Sequence, residues 1–273
     1  MLNHKLFIAL ALLTASLGVS PASAVTMRIN TPEIDVTLAP GETKSGTLGV
    51  DNPTDGDMVI RIYAEDWSYK PTGAGDKNFF VAGTLPKSAS KWIALSEAEF
   101  TLLPFAHRDI NYTLTVPRDG VAGTYHTVVF FETNAGTATS GDGASVAVAA
   151  RLGTIGRVTI AGAFQREGKI VNIKISPPQG SKPAEIITTF RNSGNTDITM
   201  KGNILIMDRE GLVKGRGALE DCLTEAGQEV TRASTWAGKL APGEYDIILT
   251  FDLGEGQLLT EERKMVVENA PQG

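Results

Sequence analysis

The chain has 273 residues, a formal net charge of −6 and a hydrophobic fraction of 42%. This length suits one large domain or two domains of about 100–150 residues each. The acidic balance argues against nucleic acid as a partner, because phosphate binding needs a basic surface, and it does not favour docking on anionic lipid headgroups.

The first 24 residues predict an export signal that is cleaved. Lys5 precedes a short apolar run, Phe7–Leu13, and the small residues Ala22 and Ala24 form the pattern that signal peptidase reads. The apolar run is shorter than the ~20 residues that a membrane span requires. We therefore expect a signal peptide over 1–24 and a periplasmic mature protein, with a secreted or cell-surface location as the alternative.

Almost the whole remaining chain has the pattern of β-strands. Stretches rich in Val, Ile, Thr and aromatic residues alternate with clusters of Gly, Pro, Asn and Asp, which is typical of an all-β sandwich. The predicted strands of the first half are Glu33–Leu38, Ser45–Val50, Asp57–Glu65, Asp109–Val116, Tyr125–Glu132 and Ser145–Arg151. Those of the second half are Lys169–Ser176, Glu185–Arg191, Ile198–Asp208, Glu229–Trp236, Tyr245–Asp252 and Leu259–Val267.

The second half repeats the motif order of the first. The paired motifs are Val50-Asp51-Asn52-Pro53 with Phe190-Arg191-Asn192-Ser193, then Asp66 with Asp208, then Gly123-Thr124-Tyr125 with Gly243-Glu244-Tyr245. The matched order predicts two tandem immunoglobulin-like β-sandwich domains, 25–163 and 164–273. Between two strands of the first domain, Asn134–Ala144 has almost nothing to bury, so it predicts a mobile loop.

The sequence predicts binding rather than catalysis, with no catalytic residue, no metal and no cofactor. After the signal only His107 and His126 remain, and we interpret both as surface or strand-edge residues. No nucleophile elbow, zinc-protease motif or P-loop occurs. A carboxylate pair such as Glu97 and Glu99 leaves a carbohydrate-active enzyme as the least favoured alternative. Cys222, the only cysteine, indicates either a buried small hydrophobe or a thiol that pairs with another chain.

The stretch Ser145–Ile160 is the strongest candidate for binding. Its even positions include Val146, Val148, Ala150 and Leu152, whereas its odd positions are mostly small or basic. Alternate side chains of a strand share one face, so one face is largely apolar. The stretch is either a last core strand or an edge strand that pairs with a partner strand.

This order of elements, ending in Ser145–Ile160, resembles the periplasmic chaperones of chaperone–usher pilus assembly. The resemblance implies two immunoglobulin-like domains set at an angle, and a last strand of the first domain that completes the fold of a pilus subunit. It also implies basic residues in the interdomain cleft that hold the C-terminal carboxylate of the subunit. Arg157 and Arg28 are then the candidate cleft cations, and subunits of a pilus or surface structure are the expected partners.

A second resemblance concerns WxL-interacting surface proteins of Gram-positive bacteria. The motifs that carry it are Leu38-Ala39-Pro40-Gly41-Glu42, Asp66-Trp67, Lys91-Trp92-Ile93-Ala94-Leu95, Tyr112-Thr113-Leu114-Thr115-Val116-Pro117 and Gly123-Thr124-Tyr125. It implies the alternative function, a cell-envelope adhesion or wall-binding module with cell-wall glycan as a partner.

Overall fold

A computed structural model describes residues 27–139 and 145–268. The side chains of 135–139 and 145–148 are outside this description. The predicted signal peptide, 1–24, also lies outside the described residues.

The described chain is built almost entirely of β-strands. The first ten are β1 (Arg28–Ile29), β2 (Glu33–Leu38), β3 (Thr43–Asp51), β4 (Met58–Tyr69), β5 (Lys77–Phe80), β6 (Ile93–Leu95), β7 (Glu99–Leu102), β8 (His107–Thr115), β9 (Gly123–Thr139) and β10 (Ser145–Ile160). A 3-10 turn, Ser90–Trp92, precedes β6. The remaining strands are β11 (Gly168–Ser176), β12 (Ala184–Asn192), β13 (Ile198–Asp208), β14 (Val213–Ala218), β15 (Cys222–Thr224), β16 (Glu229–Trp236), β17 (Gly243–Asp252) and β18 (Leu258–Val267).

The strands form four sheets, two in each half of the chain. In the first half, a four-stranded sheet has the order β1-β3-β8-β6, and a six-stranded sheet has the order β2-β10-β9-β4-β5 with β7 also on β4. In the second half, a three-stranded sheet has the order β11-β12-β16, and a five-stranded sheet has the order β14-β13-β17-β18 with β15 also on β13.

Each half has its own apolar core between its two sheets. In the first half, fully buried Leu48 and Ile110 of one sheet belong to the same cluster as Phe131 of the other. In the second half, Phe190 and Ile247 from facing sheets share a cluster in the same way. The prediction of an all-β fold with two immunoglobulin-like sandwiches is confirmed. The boundary between 163 and 164 falls in the segment that separates β10 from β11, and it stays a prediction.

One predicted loop is partly wrong. Residues 134–139 of the predicted mobile loop Asn134–Ala144 continue β9, where Gly136 pairs with Val148 and Thr137 with Ala147. The amino-acid composition of this segment predicts a loop, but the segment forms a strand because backbone pairing along a hairpin needs no apolar side chain. Residues 140–144 lie outside the described residues.

Part of the six-stranded sheet has buried side chains on both faces. Its outer face has a small aromatic cluster, Trp67, Tyr69, Val128 and Phe130, against which Leu223 of the second sandwich packs. This contact places the second sandwich beside β4 and β9 of the first.

The loop between β4 and β5 docks on the second sandwich. The N–H of Leu223 donates to Gly73 O at 2.9 Å, and the N–H of Thr231 donates to Pro71 O at 3.1 Å. Gly73 has φ +65, and a Cβ there would lie 2.8 Å from Cys222 Sγ. The docked loop therefore needs glycine at this position.

Candidate functional site

The hairpin β9–β10 extends beyond the strands that flank it. The two strands pair from Gly123↔Ile160 to Thr139↔Ser145. On one side, β4 pairs with β9 no further than Thr133, and on the other side β2 covers only residues 155–160 of β10. Among the described residues, the outer edge of β10 from 145 to 154 therefore has no strand beside it. We call this stretch the free edge.

The free edge presents backbone groups that a further strand could pair with. The N–H of Ile155 donates outward to Pro32 O at 3.0 Å, and that of Ala161 donates to Leu38 O at 2.8 Å. Since N–H and C=O groups alternate in direction along a strand, those of Gly153 and Arg151 also face outward. A partner strand would find a ready row of donors and acceptors there.

Burial on the even face of β10 ends where the free edge begins. Val158 and Ile160 are completely buried and Thr154 is 1% exposed, whereas Leu152 is 38% exposed. Ala150, next on this face, is also partly exposed. The sandwich therefore uses this face as core from Thr154 to Ile160 and leaves Leu152 exposed and Ala150 partly exposed.

Of the four apolar residues of β10 that the sequence assigns to partner binding, the structure describes the side chains of two. Leu152 and Ala150 lie on the uncovered part of the even face, as a partner-binding role requires. The backbones of Val146 and Val148 belong to β10, but their side chains lie outside the described part of the chain. The assignment of these residues to partner binding stays a prediction.

The opposite face of β10 carries a cation packed on aromatic rings. The guanidinium of Arg151 lies 4.2 Å from the ring centroid of Phe130 and 5.6 Å from that of Phe79. Its Nη1 lies 3.4 Å from a carboxylate oxygen of Glu65. This packing fixes the side chain that flanks the free edge on the outer face of the sheet.

The two candidate cleft cations lie on different sheets. Arg157 on β10 pairs with Glu33 at 2.9 Å and with Asp35 at 3.4 Å, both on β2. Arg28 lies exposed on β1 of the four-stranded sheet, opposite Asp51 of β3. The charge of Arg157 is thus already matched within the first sandwich, and a ligand carboxylate would have to exchange with one of these partners.

The prediction that His126 is a surface or strand-edge residue is wrong. Its side chain is 1% exposed and stacks on Trp67, with ring centroids 4.0 Å apart. A signal was present in the sequence, because His126 shares a strand face with Val128 and Phe130. Apolar residues on both faces of one strand indicate that something covers both faces. His107, by contrast, is exposed between Asp51 and Asp109.

His126 joins the two sandwiches electrostatically. Asp197 Oδ2 lies 2.8 Å from its Nε2, and Glu225 Oε2 lies 3.2 Å from its Nδ1. Burial by itself would lower the pKa of His126, but these two carboxylates outweigh burial and raise the pKa from 6.5 to about 9. The ring is therefore an imidazolium at neutral pH.

Hydrogen bonds beside His126 reinforce this contact. Thr124 Oγ1 and Thr196 Oγ1 are 2.9 Å apart across the junction, and the amide of Gln228 donates to Tyr69 O at 2.7 Å. The sandwiches thus meet through a buried polar junction.

Cys222 is buried behind the docked loop. The thiol belongs to the core cluster of the second sandwich, and burial raises its pKa from 9.0 to about 11. The prediction of a buried small hydrophobe is confirmed for this residue. A thiol with so high a pKa is a poor nucleophile and a poor metal ligand.

Two further features concern ligands and membranes. Within 27–139 and 145–268, no group of three or more His, Cys, Asp or Glu side chains is arranged to hold a metal ion. The same ranges contain no helix with the length and hydropathy of a membrane span.

No protein-family model matches the chain, and no curated protein matches it. Among solved structures, a chaperone–tip adhesin complex of CFA/I fimbriae has 14% identity and a TM-score of 0.45, with 87% of this chain and 98% of that chain covered. The class 5 fimbriae chaperone CfaA has 12% identity and a TM-score of 0.42, with 87% and 99% covered. The CsuC–CsuE chaperone–tip adhesion subunit complex of Acinetobacter baumannii has 11% identity and a TM-score of 0.42, with 87% and 97% covered. At these identities the likeness concerns the fold alone.

Proposed function

We propose that this chain is a periplasmic chaperone-like protein that binds subunits of a pilus or surface structure by strand pairing. The partner strand would add to the free edge of β10, residues 145–154. It would act by binding and not by catalysis. The similar structures named above are fimbrial chaperones, but the proposal rests on β10 and not on that likeness.

The observation that carries the proposal is that two changes occur at the same point of β10. The backbone edge of β10 loses its neighbour at the same point where its even face loses its cover, between Thr154 and Leu152. A strand that pairs with this edge would gain main-chain hydrogen bonds, and the uncovered apolar side chains would enter the open core of the partner. An ordinary last core strand would be covered along its whole apolar face.

Site-specific photocross-linking in cells tests this proposal. A benzoylphenylalanine in place of Ala149, exposed on the free edge, should form an adduct with a pilus or surface-structure subunit. The control position is Thr159, where β2 covers the same edge through Thr37. We expect an adduct from position 149 and none from 159. Mass spectrometry then identifies the captured protein, which we expect to be a subunit with an incomplete immunoglobulin-like fold.

The alternative function has its own outcome in this experiment. If position 149 gives no protein adduct while the protein is retained on purified cell wall, the wall-binding module with glycan as its ligand replaces the chaperone proposal. Equal adducts from both positions would also contradict the proposal, because contact would then be independent of the free edge.

We further propose that Arg157 and Arg28 hold the terminal carboxylate of the subunit. Arg157→Ala should weaken subunit binding at least tenfold while the unfolding free energy changes by about 1 kcal/mol or less, because its ion pairs are partly solvated. Arg191→Ala is a matched control, since Arg191 pairs with Glu229 on the surface of the second sandwich. If both variants bind the subunit as the parent does, Arg157 is only a partner of β2.

A further inference from the structure

The junction between the sandwiches contains a buried imidazole with a carboxylate at each ring nitrogen. His126 belongs to β9 of the first sandwich and is 1% exposed. Asp197 directly precedes β13, and Glu225 directly follows β15, so both carboxylates come from the second sandwich. Three groups from two sandwiches thus meet at one ring.

The chemistry of imidazole makes this arrangement dependent on a proton. A neutral ring has one N–H donor and one bare nitrogen that only accepts, and a carboxylate oxygen also only accepts. With an acceptor facing each nitrogen, only the imidazolium can be attracted to both. A neutral His126 would set a lone pair against a carboxylate in a site almost closed to water, which is costly.

Charge, more than hydrogen bonding, holds one side of the contact. Although Nδ1 lies 3.2 Å from Glu225, it has no aligned hydrogen bond, and Asp197 Oδ1 is buried without a hydrogen-bond partner among the described residues. The side chains of Asp197 and Glu225 are 20% and 17% exposed, and carboxylates that are largely removed from water need a neighbouring positive charge. His126 supplies that charge across the junction.

We propose that the proton on His126 is a switch for the interdomain junction: the charged ring holds the two sandwiches together, and loss of the proton loosens their contact. This inference does not depend on the proposed function. It concerns the arrangement of the two sandwiches whatever partner they bind.

The other charged and titratable groups around the ring come from several elements. They are Tyr69 of β4, Lys77 of β5, Lys87 before the 3-10 turn, Arg157 of β10 directly across the ladder from His126, and Arg166 before β11, whose Nη1 donates to Asp197 O. Arginine stays charged at every pH of interest. Burial raises the pKa of Tyr69 above 10.0 and lowers the pKa of Lys87 from 10.5. The ammonium of Lys87 lies 4.5 Å from the Tyr125 ring, so its titration acts on a different side chain.

The direction of the pH effect follows from the two states of the ring. In the closed junction the pKa of His126 is raised to about 9. In an open junction the ring returns toward its ordinary pKa of about 6.5. The closed state is therefore fully favoured below pH ~6.5, and between pH ~6.5 and ~9 opening releases one proton. The opening equilibrium constant should rise about tenfold per pH unit in that window.

Two measurements on the full-length mature protein test the switch. An NMR titration of the imidazole C–H signals, assigned with His126→Gln and His107→Gln, should give His126 a midpoint well above 7. Hydrogen exchange should follow the amides of Leu223 and Thr231, which donate across the junction. After correction for intrinsic exchange, their protection should fall by nearly tenfold from pH 7 to pH 8 and by about fivefold from pH 8 to pH 9, where the slope flattens near the pKa of the closed state. The amide of Ile247, inside the second sandwich, should change far less.

The variants separate the switch from general destabilisation. His107→Gln should keep the pH dependence of the parent, whereas His126→Gln should show junction amides with no such dependence. If His126→Gln does not fold, Glu225→Gln serves instead and should lower the midpoint of His126. The proposal is overturned if His126 titrates at or below 6.5, if Glu225→Gln leaves its midpoint unchanged, or if the protection of the junction amides is the same at pH 7 and pH 9.

Discussion

At the scale of single residues, Asp66 shows how one carboxylate can order a whole loop. Its side chain, near the C-terminal end of β4, is completely buried. It accepts hydrogen bonds from the hydroxyls of Ser88 and Ser90 and from the amides of Gly83, Thr84 and Leu85. Burial by itself would raise the pKa of Asp66, but these donors outweigh burial and lower it below 3.8.

Asp66→Asn should destabilise the first sandwich by about 2–4 kcal/mol at pH 7. The new amide would direct an NH₂ group at donors that now share a carboxylate, and hydrogen bonds to charged groups contribute about 1.5–3 kcal/mol each. A depressed pKa contributes stability above the unfolded value, and this stability is lost as pH falls through the folded value. The deficit of the variant should therefore shrink below pH ~4. Urea unfolding at several pH values checks this, with exposed Asp55→Asn as control, and a deficit that does not change with pH would contradict it.

Asp66 also shows what a sequence repeat can and cannot indicate. The repeat pairs Asp66 with Asp208, and Asp208 does end β13, whereas Asp66 lies within β4, three residues before its last residue. Asp208, however, lies near the surface and accepts from the amides of Glu210 and Leu212 to close a turn. The role of each aspartate depends on the loop that packs on it, and that loop is not part of the repeat. His126 escaped prediction for a similar reason, since its partners lie in the other domain.

At the scale of elements, alternation predicted the long strands well. Glu33–Leu38, Ile198–Asp208 and Glu229–Trp236 have the bounds that the sequence pattern indicates. Strands such as Lys77–Phe80 and Val213–Ala218 escaped prediction. They are short or rich in glycine, and they depend on pairing with β4 and β13 rather than on their own side chains.

Leu152→Asp and Val158→Asp should lower the unfolding free energy of the first sandwich by different amounts. Both residues lie on the same strand face, but Val158 is completely buried and Leu152 is 38% exposed. An aspartate at 158 places an unpaired charge in the core, which should cost several kcal/mol and unfold the first sandwich. At 152 the loss should be about 1 kcal/mol or less. Urea unfolding followed by circular dichroism measures both, and equal losses would mean that Leu152 also belongs to the core.

Gly73→Ala should loosen the docked loop between β4 and β5. The new Cβ would lie 2.8 Å from Cys222 Sγ, on a backbone with φ +65. We expect a loss of about 2–3 kcal/mol from strain and overpacking together. Gly211→Ala is the matched control, because it has φ +78 but nothing within 4 Å of its Cβ position, so it reports the backbone strain alone. Thermal unfolding compares the two variants, and equal losses would contradict the packing argument.

At the scale of the whole molecule, the two sandwiches have separate cores and a polar junction. The junction is built from the buried His126, the docked loop and the aromatic cluster around Trp67. The long hairpin β9–β10 passes from this junction, where it contributes His126, to the free edge. The same pair of strands therefore connects the interdomain contact to the surface that we assign to a partner.

The central claim is that a subunit strand pairs with the free edge of β10, and hydrogen exchange of the purified complex tests it most directly. Outward-facing amides of Arg151 and Gly153 should exchange quickly in the free protein and at least tenfold more slowly when the subunit is bound. The amide of Ile155 already donates to Pro32 O, so it serves as the internal reference. Slowed exchange at 151 and 153 is the predicted result. A stable complex in which these two amides exchange as fast as in the free protein would contradict the account.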